Sequence, residues 1–93
     1  MNLRYTDRAR VDLEIAFNWY EDQRHGLGHE FLNCVESVIR NIIHMPEMYS
    51  VQHDNFRRAI VRRFPFSIFY TVEKNEIVVH AFFDNRQDPA RLP

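Results

Sequence analysis

The chain has 93 residues, enough for one small domain and too few for a second core. Its 45% apolar and 27% charged residues are ordinary for a globular protein, and a 14% aromatic share with only two glycines excludes a disordered chain. The formal net charge of −1 conceals an asymmetry: residues 56–93 hold seven Lys/Arg against four acids, whereas the preceding residues hold five against nine. A basic C-terminal half of this kind suits phosphate or an acidic partner, or else the two halves pair with each other.

No apolar run approaches the roughly 20 residues that span a bilayer, so no membrane association is expected. The N-terminal residues carry no signal-peptide core. Cys34 is the only cysteine, which leaves no disulfide framework and fits a reducing, cytoplasmic setting.

Leu3-Arg-Tyr5 reads as a short first strand ending at Thr6-Asp7, either of which can cap the following helix. From Arg8 the period becomes helical, with Ala9, Leu13, Ala16, Phe17 and Tyr20 on one apolar stripe. Trp19 lies off that stripe, suited to core packing or to a contact with another chain. Gln23–Gly28 ends the helix and contains both glycines. A second helix is predicted from His29 to His44, its stripe formed by Phe31, Val35, Val38, Ile39 and Ile42, with Cys34 beside it as a small core residue. Met45-Pro46 stops it.

Glu47–Asn55 reads as a polar connection. Phe56–Pro89 then carries three runs of β-branched and aromatic residues, broken at Pro65 and at Glu73–Glu76, as in a three-stranded antiparallel meander. Lys74-Asn75 suits the centre of a tight hairpin, where Asn tolerates positive φ. The first of these strands is predicted over Arg58–Phe64, which places Arg62 and Arg63 on opposite faces and Arg58 and Arg62 on the same one. The last is apolar on both faces around His80, as expected of a central strand or one covered by a partner.

The expected architecture is a two-layer α+β domain in the order β-α-α-β-β-β, with an antiparallel helical hairpin packed on a small antiparallel sheet. Arg58, Arg62, Arg63 and Arg86 are the candidate phosphate- or target-binding residues. His80 is the candidate proton carrier, against the reading of a buried hydrogen-bonded histidine. His25 and His29 have the spacing of helical metal ligands, but Gly26 and Gly28 oppose a helix there and no third ligand completes a set, so no metal or other cofactor is expected.

The order of elements and several sequence pieces resemble the RelE/ParE superfamily of type II toxin–antitoxin toxins, often labelled plasmid stabilization proteins. The pieces are Leu3-Arg-Tyr-Thr, Asp12-Leu-Glu-Ile15, Trp19-Tyr20, Met45-Pro46, Arg57–Phe66, Ile68–Val72, Ile77-Val-Val79 and Arg86-Gln-Asp-Pro89, which together cover nearly the whole chain. The resemblance implies a single toxin domain over residues 1–93, a cognate antitoxin as partner, and a homodimer or a toxin–antitoxin hetero-oligomer as the assembly. It implies one of two activities: inhibition of DNA gyrase, as in ParE-like members, or ribosome-dependent cleavage of messenger RNA, as in RelE-like members. A third possibility is a member that only binds its antitoxin.

RNA cleavage through the ribose 2′-OH needs a base, an acid and cations around one phosphate. In this chain the RelE-like candidates for those roles are Arg62, Arg63, His80 and Arg86. RelE-like members typically carry an arginine where this chain has Ser67, and many end in a functional tyrosine where this chain ends Arg91-Leu-Pro93. These departures favour the ParE-like branch, in which the same arginines serve a binding surface.

Overall fold

The computed structural model describes Met1–Pro93. Strand β1 (Asn2–Tyr5) leads into helices α1 (Asp7–Gln23) and α2 (Leu27–His44), followed by β2 (Val51–His53), β3 (Phe56–Val61), β4 (Phe66–Val72) and β5 (Glu76–Asp84), with a single 3₁₀ turn at Pro89–Arg91. The five strands form one sheet in the order β1-β5-β4-β3-β2. The expected α+β order is present. The sheet is mixed rather than wholly antiparallel, because β1 runs parallel to β5. A parallel neighbour requires a crossover, and the helical hairpin between β1 and the meander provides the length for one. No helix is long and apolar enough to cross a membrane.

Thr6 ties the three elements around it together. Its side chain accepts from the Ala9 amide to cap α1, its hydroxyl donates to the His80 carbonyl, and its own amide donates to the Val79 carbonyl. At the hairpin between the helices, Gly26 takes φ 91° and offers no capping side chain. The Glu21 carboxylate caps α2 instead, accepting from the amides of Gly26 and Gly28 at 2.9 Å each. Those two bonds, the Gly26 one foremost, hold its carboxyl below the usual range.

The helices pack on one face of the sheet. Ala9, Ala16 and Tyr20 of α1 and Phe31, Val35, Val38 and Ile42 of α2 meet Ala59, Val61, Phe66, Ile68, Tyr70, Ile77, Val79 and Phe82. Tyr20, Phe31, Phe64 and Phe66 form an aromatic knot inside this core, with ring centroids 4.9–6.1 Å apart. The Tyr70 hydroxyl donates to the Pro46 carbonyl at 2.6 Å, and burial pushes its phenol up to about 12. On the opposite face Phe69, Ala81 and Phe83 make a second small cluster, covered by Leu92 from the C-terminal segment.

The periodicity of β5 changes face at His80. Tyr70 pairs with Val79 and Phe69 with Ala81, so His80 is an extra residue in the ladder, a β-bulge. Ile77, Val79 and Phe82 therefore all reach the helix face although their spacing is not a uniform two. The strand is interior, between β1 and β4, as its two apolar faces imply.

Three expectations fail in the connections. Val51–His53 of the polar segment forms an edge strand, β2, which pairs with the start of β3. Strand β3 ends at Val61 rather than Phe64, and Arg62–Pro65 make the turn into β4. Among the non-glycine residues, positive φ occurs at Asp54 and Arg63, not at Asn75, so the Glu73–Glu76 hairpin closes without a left-handed residue.

Candidate functional site

The turn that ends β3 decides where the arginines go. With Arg62 and Arg63 outside the strand, strand alternation no longer separates them, contrary to the reading of opposite faces. The left-handed backbone of Arg63 (φ 73°) turns its guanidinium towards α2, where it pairs with Glu30 at 3.0 Å. Glu30 also holds Arg24, and these two guanidiniums keep its carboxyl below the usual range, Arg24 contributing more. Arg62 is exposed and makes no ion pair or side-chain hydrogen bond.

Arg58 lies on the sheet face away from the helices. Its Nε donates to the Ser67 hydroxyl at 2.9 Å and its Nη2 to Asn85 Oδ1 at 2.8 Å, while the guanidinium sits 5.2 Å from the Phe69 ring centroid. Ser67, fully buried, donates in turn to Asn85. The position where RelE-like members typically carry an arginine thus holds a small hydroxyl, and a guanidinium from the neighbouring strand lies against it. Arg58 and Arg62 together line a shallow depression between α2, β2 and β3, with Ser37, Asn41 and Ile60.

Arg86 stands elsewhere. It follows β5 and forks onto Asp84, Nε and Nη2 each meeting one carboxylate oxygen at 3.0 and 2.9 Å. That bidentate pair holds the Asp84 carboxyl below its ordinary range. The guanidinium lies 5.7 Å from the Trp19 ring centroid, so Trp19 is not a core residue but a half-exposed platform on α1.

His80 joins neither group of arginines. Its Nε2 is 2.9 Å from the Thr71 hydroxyl and its ring meets Phe56 edge-on at 4.9 Å. Burial lowers its basicity. His25 contacts Glu21 at 3.3 Å and His29 packs edge-on against Phe17, so the two histidines have separate neighbours.

A groove of about 790 Å³ opens between α1 and the C-terminal segment. Ile15, Trp19 and Tyr20 form one wall, Phe66 and Phe82 the floor, and Leu92 part of the other wall. Val11, Ile15 and Trp19 follow one another at four-residue spacing and are 55%, 63% and 49% exposed, so α1 carries a second apolar stripe that the core does not use. That stripe was readable from the spacing, but a helix already furnished with one apolar face hides it. Asp12 closes the inner end, its carboxylate accepting from the Phe82 amide at 3.1 Å, with Arg8 3.5 Å away. Burial raises the Asp12 carboxyl above its usual range, and the amide and Arg8 pull it back in part. The Tyr20 hydroxyl is buried without any hydrogen-bond partner.

The candidate arginines and His80 stand on separate parts of the surface rather than around one point.

Residues 3–89 match the family model described as ParE toxin of type II toxin–antitoxin systems, parDE. No curated protein matches the chain. A solved structure described as the chromosomal ParDE TA system from P. aeruginosa superposes with a TM-score of 0.68 at 19% identity, covering 90% of this chain and 95% of that one. At that identity the likeness concerns the fold.

Proposed function

The chain belongs to the ParE toxin family of type II toxin–antitoxin systems, and from that premise we propose that it arrests growth by binding a nucleic-acid enzyme, DNA gyrase being the leading target. A cognate antitoxin neutralises it. Arg58, Arg62, Arg63 and Arg86 serve as contact residues for the target or for phosphate.

The observation that carries this reading, beside the family match, is the dispersal of the charged candidates. A nuclease needs proton donor, proton acceptor and cations converging on one phosphate. Here Arg63 is drawn to Glu30, Arg86 to Asp84, and His80 to Thr71 and Phe56. Three separate charged or aromatic patches support contact with a large partner surface over catalysis.

The test is tightly controlled expression of this chain alone in a bacterial host, with pulse labelling of DNA and protein synthesis, followed by a supercoiling assay with purified gyrase. Early loss of DNA synthesis and blocked supercoiling are expected. Early loss of protein synthesis with cut messages would instead assign the ribonuclease activity, and no effect on growth would leave an antitoxin-binding module without toxicity.

A further inference from the structure

Strand β2 accompanies only the beginning of β3, Val51 pairing with Arg57 and His53 with Phe56. The Arg58 amide makes the last bond across this seam, donating to the Ser50 carbonyl at 3.2 Å. Before Ser50 the chain is turn and bend, so no strand lies beside the rest of β3. Successive residues of a strand direct their peptide groups to opposite sides, and the amide and carbonyl of one residue point the same way. Ala59 and Val61 turn theirs towards Ile68 and Phe66 of β4. Since the Arg58 amide faces the β2 side, the Ile60 amide and carbonyl face it too. No hydrogen bond outside the sheet ladder reaches them. Ile60 therefore presents one donor and one acceptor at an unpaired edge.

That edge borders the depression between α2, β2 and β3, of about 740 Å³. Its lining includes Arg58 and Arg62 and no aspartate or glutamate. The side-chain partners of Arg58 are Ser67, Asn85 and Gln52, all neutral, and Arg62 has none, so neither charge is cancelled. Arg24, Arg63 and Arg86, in contrast, each sit on a carboxylate. Between the two uncancelled arginines Ile60 is 64% exposed.

We infer that the Ile60 edge of β3 is a strand-addition site for an extended acidic segment of the protein whose binding arrests growth. The identity of that partner rests on the function proposed above; the chemistry of the edge does not. An unpaired donor and acceptor select an extended backbone over a helix, whose own peptide groups are already paired. Arg58 and Arg62 select a carboxylate on either side of an apolar residue that meets Ile60, so the segment reads acidic, any, apolar, any, acidic. The same charges exclude a second copy of this chain. Antiparallel pairing of two Ile60 edges brings Arg58 of each copy beside Arg62 of the other, and like charges directly opposite are destabilising. Charged residues on an edge also serve simply to keep other strands away; a matched peptide separates that role from recognition.

The probe is a synthetic peptide, Thr-Glu-Thr-Val-Thr-Glu-Thr, capped at both ends and titrated into the ¹⁵N-labelled full chain. The expected result is a saturable shift of the Ile60 amide that weakens as salt rises, with the Trp19 indole unmoved. Exchanging both glutamates for lysine should abolish it. Arg62→Glu alters a side chain without an internal partner and should weaken binding about tenfold. Ile60→Pro removes the outward donor while leaving the bonds to β4 in place, so it should melt near the parent and fail to bind. Both variants should lose growth arrest when expressed alone.

A flat titration overturns the inference, as does saturable binding that Arg62→Glu leaves unweakened. If Ile60→Pro fails to fold, Arg62→Glu decides alone. Growth arrest is scored separately. Folded variants that arrest growth as strongly as the parent refute this inference while the toxin reading stands. A chain that binds the peptide but leaves growth untouched refutes the toxin reading alone.

Discussion

Asp12 of α1 accepts a hydrogen bond from the backbone amide of Phe82 at 3.1 Å, so a helix side chain does for β5 what β1 does for the residues before it. Burial raises the Asp12 carboxyl, and the sign of the consequence follows. A folded-state value above the unfolded one favours folding below the unfolded pKa, and that contribution is lost as pH rises through the folded value. Asp12→Ala should cost about 1–3 kcal/mol by orphaning the Phe82 amide. Asp12→Asn, which keeps an acceptor without a charge, should match or exceed the parent at pH 7. Denaturant titrations of both variants at pH 4 and pH 7 measure this; an Ala variant as stable as the parent would show that the amide needs no partner.

The two glycines of the helical hairpin are required for different reasons. Gly26 has φ 91° and open space around a would-be Cβ, whereas a Cβ on Gly28 would stand 2.8 Å from the Phe17 carbonyl oxygen. Alanine should cost about 1–2 kcal/mol at Gly26 through left-handed strain. At Gly28 it should cost about 1–3 kcal/mol through forced separation of α1 from α2. Asparagine separates the mechanisms, being tolerated at Gly26 and not at Gly28. Thermal melts of the four variants suffice, with about 4–8 °C expected per kcal/mol.

His80 sits in a bulge against Phe56 and Thr71, and burial lowers its pKa. A depressed folded value contributes stability that is present above the unfolded pKa near 6.5 and lost as pH falls through the folded value. Stability should therefore decline as pH drops from about 6.5, and His80→Gln should flatten that part of the curve. An NMR titration giving the ring an apparent pKa at or above 6.5 would contradict this assignment.

Arg63 combines a left-handed backbone with an exposed ion pair to Glu30. Glycine relieves strain of about 1–2 kcal/mol, and an exposed pair returns about 0–1 kcal/mol. Arg63→Gly should thus leave the chain as stable as before or up to about 2 kcal/mol more so. Loss of growth arrest in this variant, with Tm maintained, would assign the guanidinium to target contact; retained arrest would remove Arg63 from the binding surface.

Much of this fold was readable beforehand because apolar periodicity reports which face a regular element buries. Ala9, Ala16 and Tyr20, and Phe31, Val35, Val38 and Ile42, are buried as their spacing implied. The readings that failed lie where backbone geometry breaks the period. Arg62-Arg63-Phe64 has strand-like composition, but a left-handed Arg63 ends the ladder at Val61. Val51–His53 has no buried residue and is strand only through its pairing with β3, a signal that no local pattern carries. Ile15 was not distinguished because exposed apolar residues on an amphipathic helix look like the edge of its core stripe.

By itself the amino-acid order determined the element types, the helical hairpin, the layer it packs on and the family resemblance. Each depends on neighbours within about one or two turns of chain, or on recurring local motifs. The tertiary structure alone decided that Arg63 and Arg86 are drawn apart to Glu30 and Asp84, and that Ser67 holds Arg58. It also decided that Tyr20 lies in a groove with its hydroxyl unpaired beside an open strand edge. Arg63 and Glu30, for example, are 33 positions apart, and only the packing of the helices on the sheet brings them within hydrogen-bonding distance.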